Sequence, residues 1–542
     1  MLRFADLDAL GYANHYYTAT VTSMLQSWHN FFFVAAEPGG SVSADKPPVG
    51  LWLQAVSAYF LGVNGLGVLL PQILAGILSV VVLYHLVRRS FGTVAGLLAA
   101  LILAITPVTI AVDRNNTTDS TLILTLLLAS WAFIKATETS KLRFLLLGAA
   151  LVGVGFNIKM LQAYLVLPAL YALYFLGSAE RLWPKIWKLA VASVLLLGIS
   201  LSWAVIVDLT PADQRPYVGS SQNNSELNLI LEYNGLDRLL GMAGRNAGSP
   251  PNGAPAGGAQ PAFGQGGALP QRGPGGTNDG GFPPQGQGGN DGAFPPQGQG
   301  GMGGGVFDNG GALGNGGPGG NGFSDGGFRD GGFGGGGGGL NNIGQRGALR
   351  LFVPPLSSQV SWLLPFAIVS ALLLIIGIRW RWPIATEHQA LVLWGGWLLT
   401  GAVFFSVAAF FHEYYLSMLA APLAALVAIG VVHLWRLGQQ RTWLALGLLA
   451  STAGVTLGFQ LFTAQAFRNN VEWAPVALAL FGAGLVLLVV SQAVSRRGRY
   501  YALAGFTFVV ASLLVTPAVW SYLTTLNFSR NQSLPSAYSG QA

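Results

Sequence analysis

Long apolar runs separated by short polar loops make up most of the chain. They have roughly the length of 17–25 residues with which a helix crosses a hydrocarbon core of about 30 Å. The runs are continuous and do not alternate with a period of two, which favours membrane-spanning helices over a β-barrel. We therefore predict an all-α polytopic membrane protein with about twelve transmembrane helices, at residues 66–87, 93–112, 119–136, 142–157, 161–177, 186–207, 360–378, 388–408, 415–435, 441–462, 473–494 and 500–524.

The composition indicates the same class of protein. Of the 542 residues, 52% are hydrophobic and only 9% are charged, and the mean hydropathy is +0.51. A soluble chain carries about 25% charged residues, so this composition excludes an ordinary soluble globule. The chain has no cysteine, which excludes disulfides, thiolate metal ligands and cysteine nucleophiles.

The basic residues predict how the helices are oriented. The net charge of +7 could suggest nucleic-acid binding, but the basic residues lie between apolar runs, and we expect no nucleic-acid partner. If the spans alternate, one side receives fifteen of these residues and is therefore predicted to be cytoplasmic: Arg88, Arg89, Lys135, Lys141, Arg143, Arg181, Lys185, Lys188, Arg379, Arg381, Arg436, Arg441, Arg496, Arg497 and Arg499. The short loops of the other side hold Arg114, Lys159 and Arg468.

This orientation predicts a plasma-membrane protein whose long loop 208–359 and both termini are extracytoplasmic. Residues 1–65 would then lie outside with no earlier span to carry them across, and we interpret this as a missing first helix and a total of thirteen spans. The predicted regions are a first outer loop (1–65), a first bundle with the start of the outer loop (66–240), an insertion (241–350), a second bundle (351–524) and an outer tail (525–542).

Glycine dominates the predicted insertion. Residues 241–350 hold 44 of the 75 glycines, and Phe-Pro-Pro-Gln-Gly-Gln-Gly-like repeats begin at Phe282 and Phe294. This composition buries too little apolar area to offset the loss of chain entropy, so we predict a disordered extracytoplasmic segment.

Candidate chemistry lies in charged groups on the predicted outer side, where the positive-inside trend does not explain them. A carboxylate can take a proton from an acceptor hydroxyl, cations can stabilise a departing phosphate, and aromatic rings can lie against a sugar or a lipid tail. The alternative is that the same groups are capping and interfacial pairs that hold the bundle together. Five clusters combine these residue types, at residues 43–48, 113–119, 157–162, 208–238 and 410–415.

At these clusters the sequence resembles the bacterial GT-C membrane glycosyltransferases, which include relatives of the protein O-mannosyltransferases (glycosyltransferase family 39) and the aminoarabinose transferases that modify lipid A. The resemblance covers nearly the whole chain outside the glycine-rich insertion. The motifs that carry it are Asn14-His-Tyr16-Tyr17, Ser23-Met24 with Ser27-Trp28, Asp45-Lys-Pro-Pro48, Asp113-Arg-Asn-Asn116, Lys159-Met-Leu-Gln162, Arg215-Pro-Tyr217, Tyr233-Asn-Gly235 and His412 with Tyr414-Tyr415.

The resemblance implies a GT-C-type helical bundle with its site in the first outer loop. Such enzymes take a sugar from a polyprenyl-phosphate carrier and invert its anomeric carbon. Asp45-Lys46-Pro47-Pro48 is similar to a Glu-Lys-Pro-Pro motif whose lysine lies near the carrier phosphate, and Asp119 is similar to a family aspartate at the head of a later span.

Two positions depart from the family pattern. Where relatives begin the first loop with an Asp-Glu pair whose aspartate is the expected base, this chain has Ala13-Asn14. Where relatives place a histidine before an arginine in the long outer loop, Asn234 precedes Arg238. The identity of the base therefore stays open, and so does a divalent metal, for which the chain shows no ligand-spaced motif. No other cofactor is expected.

From the clusters and the resemblance we predict three groups of site residues. The catalytic candidates are Asp45 (as base or to orient the acceptor), Asp113 and Asp119. The candidates that bind the donor phosphate are Lys46, Arg114, Lys159, Arg215 and Arg238. The candidates that bind substrate are Asn14, Tyr17, Tyr217, His412, Glu413, Tyr414 and Tyr415.

The predicted function is transfer of a sugar, a mannose-like hexose or an aminopentose, from a polyprenyl-phosphate carrier to an extracytoplasmic glycan, lipid or protein acceptor. Two alternatives stay open. A flippase of lipid-linked sugars is expected to show internal repeats and broken helices near the midplane, and no matching halves are found. An inactive scaffold of the same fold is suggested by Ala13-Asn14 in place of the Asp-Glu pair.

Overall fold

The computed structural model describes residues 2–231, 343–377, 381–468, 470–494, 498–528, 530 and 532–540. They belong to one compact unit formed by Met1–Ser249 and Gly339–Ala542, and a second unit, Pro250–Gly338, lies outside the described residues. The prediction for the glycine-rich insertion therefore lies outside the described residues, apart from residues 343–350. The predicted site residue Arg238 lies outside them as well.

Helices are the main elements of the described chain. The first part contains α1 (Leu7–Leu10), α2 (His15–Met24), α3 (Trp28–Phe33), α4 (Pro48–Leu61), α5 (Gly65–Phe91), α6 (Thr93–Ala104), α7 (Pro107–Asp113), α8 (Asp119–Thr139), α9 (Leu142–Lys159), α10 (Leu167–Gly177), α11 (Leu182–Leu209) and α12 (Glu226–Leu231). The second part contains α13 (Leu364–Gly377), α14 (Thr386–Ala390), α15 (Gly396–Val407), α16 (Ala420–Gly438), α17 (Thr442–Phe467), α18 (Ala474–Ala493) and α19 (Gly498–Leu526).

These helices confirm the predicted class, an all-α polytopic membrane protein. Within the described residues, nine helical segments are long and apolar enough to cross a membrane, or ten if the bent pair α6–α7 forms one span. With the bent pair included, the count of ten is lower than the predicted twelve for two reasons. Leu142–Gly177 forms one continuous helical segment that contains two of the predicted runs, and Ser361–Ile376 is shorter than a full span.

The segment Leu142–Gly177 nevertheless crosses the bundle twice, in opposite directions. Its first helix, α9, ends at Lys159, which contacts Asp119 at the start of α8. Its last helix, α10, ends beside Ser178, whose hydroxyl lies 3.2 Å from that of Ser140 at the other end of α8. The 3-10 turn Met160–Val166 between them reverses the chain, so the segment provides the two spans that the sequence predicts.

The predicted span 93–112 is broken. Helix α6 ends at Ala104, α7 begins at Pro107, and the two helices meet at an angle of 63°. Proline has no backbone N–H to donate and fits the first turn of a helix, so the chain starts a new helix at Pro107 instead of continuing α6. All residues of α7 are buried, which places its polar C-terminal end inside the bundle.

The loops with many basic residues meet at one end of the bundle, which we call the basic end (residues 88–92, 138–143, 178–188, 381–388 and 436–442). Arg89 pairs with Glu138, and the Lys188 ammonium donates a 2.7 Å hydrogen bond to the carbonyl of Ser140. The Arg436 guanidinium reaches the carbonyl of Phe91. These contacts agree with the alternation of spans from which the sequence predicted a common side.

Helix α16 forms the centre of the bundle. In the apolar 18-residue stretch of its span, 94% of the residues are buried, against 22% in the corresponding stretch of α18. Gly430 lets α16 approach α13 closely, because a Cβ at this position would lie 1.9 Å from the Ser370 hydroxyl. Gly430 therefore sets how closely α16 packs against α13 within the second part of the chain.

We expect Gly430→Ala to destabilise the fold. The added methyl group would overlap Ser370, and overpacking of this kind costs about 1–3 kcal/mol. Thermal unfolding in detergent micelles measures the effect. Gly447→Ala in α17 is the matched control, because a Cβ at Gly447 meets nothing within 4 Å. Equal melting temperatures for the two variants would contradict the close approach of α13 and α16.

Candidate active site

The end of the bundle opposite the basic end is here called the site end. At the site end, a buried ion pair joins the ends of two neighbouring helices. The Lys159 ammonium donates to both carboxylate oxygens of Asp119, at 2.7 and 2.6 Å. The Lys159 side chain is 7% exposed and that of Asp119 is fully buried. Asp119 begins α8 and Lys159 ends α9, positions that the helix dipoles favour for an anion and a cation. The structure thus brings together two of the predicted site residues.

Aromatic rings of the second half of the chain cover this ion pair. The Lys159 ammonium lies 3.8 Å from the ring centre of Tyr415 and 4.7 Å from that of Tyr414. The His412 ring stacks on Tyr414 at 5.5 Å with an interplanar angle of 5°. Desolvated cation–π contacts add to the binding of the ammonium. The predicted cluster 410–415 therefore meets the clusters of Asp119 and Lys159.

The first loop contributes a second ion pair. The Lys46 ammonium lies 2.7 Å from the Asp45 carboxylate, and the Lys46 side chain is 9% exposed. Pro47 caps helix α4 and Pro48 is its first residue, where a missing N–H costs nothing and the fixed φ is already helical. The two prolines therefore hold the backbone directly after Lys46 in one conformation.

The two lysines belong to one electrostatic cluster. Lys46 is within electrostatic range of both Lys159 and Asp119. Burial raises the pKa of the Tyr17 phenol above its usual value, and the nearby Lys46 opposes that rise. Tyr17 consequently stays neutral and can donate a hydrogen bond. We call Lys46, Lys159, Asp119, Tyr17 and Tyr415 the lysine cluster, in which two buried ammonium groups, each paired with a carboxylate, lie near a neutral phenol.

Segment 210–226 holds the first loop in place. The Tyr217 backbone exchanges hydrogen bonds with Ser41 and Ser43, both at 2.8 Å. The Arg215 guanidinium donates to the side chain and the carbonyl of Asn224, at 2.8 and 2.7 Å. The Tyr217 side chain itself is 45% exposed. In this structure the predicted residues Arg215 and Tyr217 thus support the loop that carries Asp45 and Lys46.

Asp113 and Arg114 anchor residues 2–5. The buried Asp113 carboxylate pairs with Arg3 and accepts a 2.6 Å hydrogen bond from Ser120. Arg114 donates to the carbonyls of Leu2 and Ala5. Asp113 and Arg114, both predicted site residues, therefore bond to residues outside the lysine cluster.

Two further predicted residues bond the segment 532–540. The Asn14 amide donates a 2.6 Å hydrogen bond to the carbonyl of Ser533. The Glu413 carboxylate accepts hydrogen bonds from Gln359 at 2.9 Å and from Ser536 at 3.0 Å. Asn14 also caps helix α2 through the N–H of Tyr17. These bonds draw the last described residues across the site end.

Sequence reasoning did not select Glu226 as a site residue, although it lay in one of the five clusters. Its side chain is fully buried at the start of α12, and within the described part of the chain neither carboxylate oxygen has a hydrogen-bond partner. Burial raises the pKa of the Glu226 carboxyl to about 8; Asp208 and Asp45 add to the rise and Arg215 opposes it. The sequence signal was an acidic residue leading a short apolar run, Glu226-Leu-Asn-Leu-Ile-Leu.

A divalent metal, which the sequence left open, finds no support in the described ranges. Among the residues that the structure describes, no group of three or more histidines, aspartates or glutamates has a geometry that could hold a metal ion. A cavity of about 630 Å³ lies between the ends of α16, α17, α18 and α19, lined among others by Gln439, Gln492 and Arg499. It is at the basic end and contains none of the predicted site residues.

Comparison with known proteins defines the class. Residues 45–203, which include Lys46, Asp119 and Lys159, match the family described as dolichyl-phosphate-mannose-protein mannosyltransferase. The chain is 40% identical to "Putative mannosyltransferase YycA" of Bacillus subtilis (strain 168), over 96% of this chain and 74% of that protein. It is 41% identical to "Putative mannosyltransferase YkcB" of the same organism, over 96% of this chain and 72% of that protein.

The chain therefore belongs to the membrane glycosyltransferases of the GT-C class. Within that class, its family is that of the bacterial mannosyltransferase-like proteins represented by YycA and YkcB. The fold is also similar to the crystal structure of ArnT from Cupriavidus metallidurans bound to undecaprenyl phosphate. That similarity has a TM-score of 0.50 and 16% identity, and covers 96% of this chain and 75% of ArnT.

We expect Asp119→Asn to destabilise the protein. The substitution leaves the Lys159 ammonium buried without its carboxylate, and breaking a buried ion pair in this way costs about 3–5 kcal/mol. Thermal unfolding in micelles measures the loss.

The double variant Asp119→Asn with Lys159→Met serves as the control, because it removes the uncompensated charge and should recover most of that stability. A single variant as stable as the wild type would show that the ion pair does not hold α8 and α9 together.

Proposed function

We propose that the protein transfers a sugar, a mannose-like hexose or an aminopentose, from a polyprenyl-phosphate carrier to an acceptor on the extracytoplasmic side, with inversion of the anomeric carbon. Membership of the GT-C glycosyltransferases supports sugar transfer in general. The structural similarity to ArnT, which was crystallised with undecaprenyl phosphate, supports a lipid-phosphate donor in particular.

The observation that carries the proposal is the pair of buried lysines. Lys46 and Lys159 lie close enough to repel each other, although each has a carboxylate partner. A phosphate placed between the two ammonium groups relieves this repulsion and accepts charge-assisted hydrogen bonds from both. The same groups stabilise the negative charge that grows on the phosphate as the sugar leaves.

The remaining predicted residues have two kinds of role in this proposal. Asp45 orients Lys46 and the acceptor, and Asp119 orients Lys159. Tyr17 donates from its neutral phenol, while Tyr414, Tyr415 and His412 form an aromatic wall against the sugar ring or the lipid tail. The residues that brace these groups from further away are Asn14, Asp113, Arg114, Arg215, Tyr217 and Glu413.

The direction of transfer follows from the two ends of the bundle. The basic end collects the loops that the positive-inside trend assigns to the cytoplasm. The lysine cluster lies at the opposite end. In a plasma membrane this arrangement presents the site to the extracytoplasmic side, where a carrier lipid can enter from the outer leaflet.

We expect Lys46→Ala to lower kcat/KM for sugar transfer by about 10–100-fold, because one charge-assisted hydrogen bond to the phosphate is lost. The assay uses proteoliposomes with radiolabelled polyprenyl-phosphate mannose, glucose and aminoarabinose, and a crude cell-envelope acceptor. Lys141→Ala is the matched control, since Lys141 is an exposed lysine at the basic end.

Three outcomes of this assay distinguish sugar transfer that depends on Lys46, sugar transfer that does not, and a flippase. Transfer from one donor that falls in Lys46→Ala but not in Lys141→Ala supports the proposal and names the sugar. Equal transfer by all three proteins removes Lys46 from the phosphate site. Movement of a carrier-lipid analogue across the membrane with no sugar transferred would favour a flippase.

A further inference from the structure

A catalytic base is the part of the site that the sequence leaves open, because Ala13-Asn14 replaces the pair expected to supply it. The carboxylates that surround the site are engaged with other groups. Three of them form ion pairs: Asp45 with Lys46, Asp119 with Lys159, and Asp113 with Arg3, and Asp113 also accepts a hydrogen bond from Ser120. The other two accept hydrogen bonds: Asp208 from Ser225 and from the backbone of Glu226 and Leu227, and Glu413 from Gln359 and Ser536.

Glu226 differs from these carboxylates. Its side chain is fully buried, and within the described residues both of its oxygens lack a hydrogen-bond partner. A buried polar group without a partner costs about 1–3 kcal/mol, and more when it is charged, so such a group calls for an explanation. A role in which the carboxylate receives a proton from a bound substrate provides one.

The surrounding chain holds Glu226 near the first loop. The Asp208 carboxylate at the end of α11 accepts the Glu226 N–H at 2.7 Å and fixes the start of α12. The Gly219 N–H donates to the Ser43 hydroxyl at 3.2 Å, two residues before Asp45. Glu226 is accordingly within electrostatic range of Asp45, which pairs with Lys46.

We infer that Glu226 is the general base that takes the proton from the acceptor hydroxyl, within electrostatic range of the Asp45–Lys46 pair, whose lysine binds the donor phosphate together with Lys159. This inference rests on the proposed function. As the proton passes to the Glu226 carboxylate, the acceptor oxygen forms its bond to the anomeric carbon. The bond from that carbon to the carrier phosphate oxygen breaks, and its electron pair leaves with the phosphate. The proton then passes to water.

The surroundings of Glu226 suit a base. Its pKa is raised to about 8 by burial and by the Asp208 and Asp45 carboxylates, against the opposing charge of Arg215. A base is most effective when its pKa lies near the working pH, whereas a carboxylate held by a salt bridge is a weaker proton acceptor. Ionised Glu226 is the active form, so transfer should rise with pH up to about 8 and then level off.

The first experiment compares Glu226→Gln with wild type in the proteoliposome assay between pH 6 and 9. We expect kcat to fall by about 100-fold or more, and the rise of the residual rate toward pH 8 to disappear. Asp213→Asn is the matched control, an exposed carboxylate in the same loop, and should keep both the rate and the pH profile. Wild-type rate and pH profile in Glu226→Gln would overturn the inference.

The second experiment measures thermal unfolding at pH 6 and pH 9, which needs no substrate. Because the pKa is higher in the folded protein than its ordinary value of 4.5, the wild type loses stability as the pH rises through about 8. Glu226→Gln should lack this loss and should be at least as stable as the wild type at pH 6, because the loss in the wild type begins above pH 4.5. An identical loss in both proteins would show that Glu226 does not titrate in this range and would also overturn the inference.

The two proposals fail in different ways. A wild type that transfers no sugar from any donor contradicts the proposed function. A wild type that transfers sugar, together with a Glu226→Gln variant that does so equally well, contradicts the base assignment alone.

Discussion

The buried ion pair between Lys159 and Asp119 is the interaction on which the site end depends. It ties the C-terminal end of α9 to the N-terminal end of α8, directly where the chain reverses into α10. Removing either charge destabilises the other, because the desolvation of each buried ion is offset mainly by its partner. The Tyr414–Tyr415 segment of the second half of the chain packs on the same ammonium, so the pair also joins the two halves.

The membrane helices could be predicted because bilayer thickness fixes their length. Every predicted apolar run coincides with helical structure, and the break in 93–112 carries its own signal, Pro107. Helix α4 (Pro48–Leu61) was not predicted as a span because, with 14 residues, it is too short to cross the hydrocarbon core. The two spans on either side of the reversal at Met160–Val166 were predicted as separate because polar residues around Lys159 divide them.

The candidate site was harder to predict than the helices. A sequence shows that Asp119 and Lys159 are charged, but their pairing depends on which helices become neighbours. The roles of Asp113 and Arg114 depend on residues 2–5 folding back over them, a contact across more than 100 positions of sequence. The burial of Glu226 follows from the fold of segment 208–231, which has no periodic pattern from which to predict it.

Residues 532–540 link parts of the chain that are made at very different times. Their backbone accepts hydrogen bonds from Asn14 and Asn115, while the Ala537 N–H donates to Gln359. During synthesis the N-terminal parts fold first. The contacts of Asn14 and Asn115 therefore stay open until α19 has entered the membrane. Biogenesis thus delays these contacts at the site end until α19 is in place.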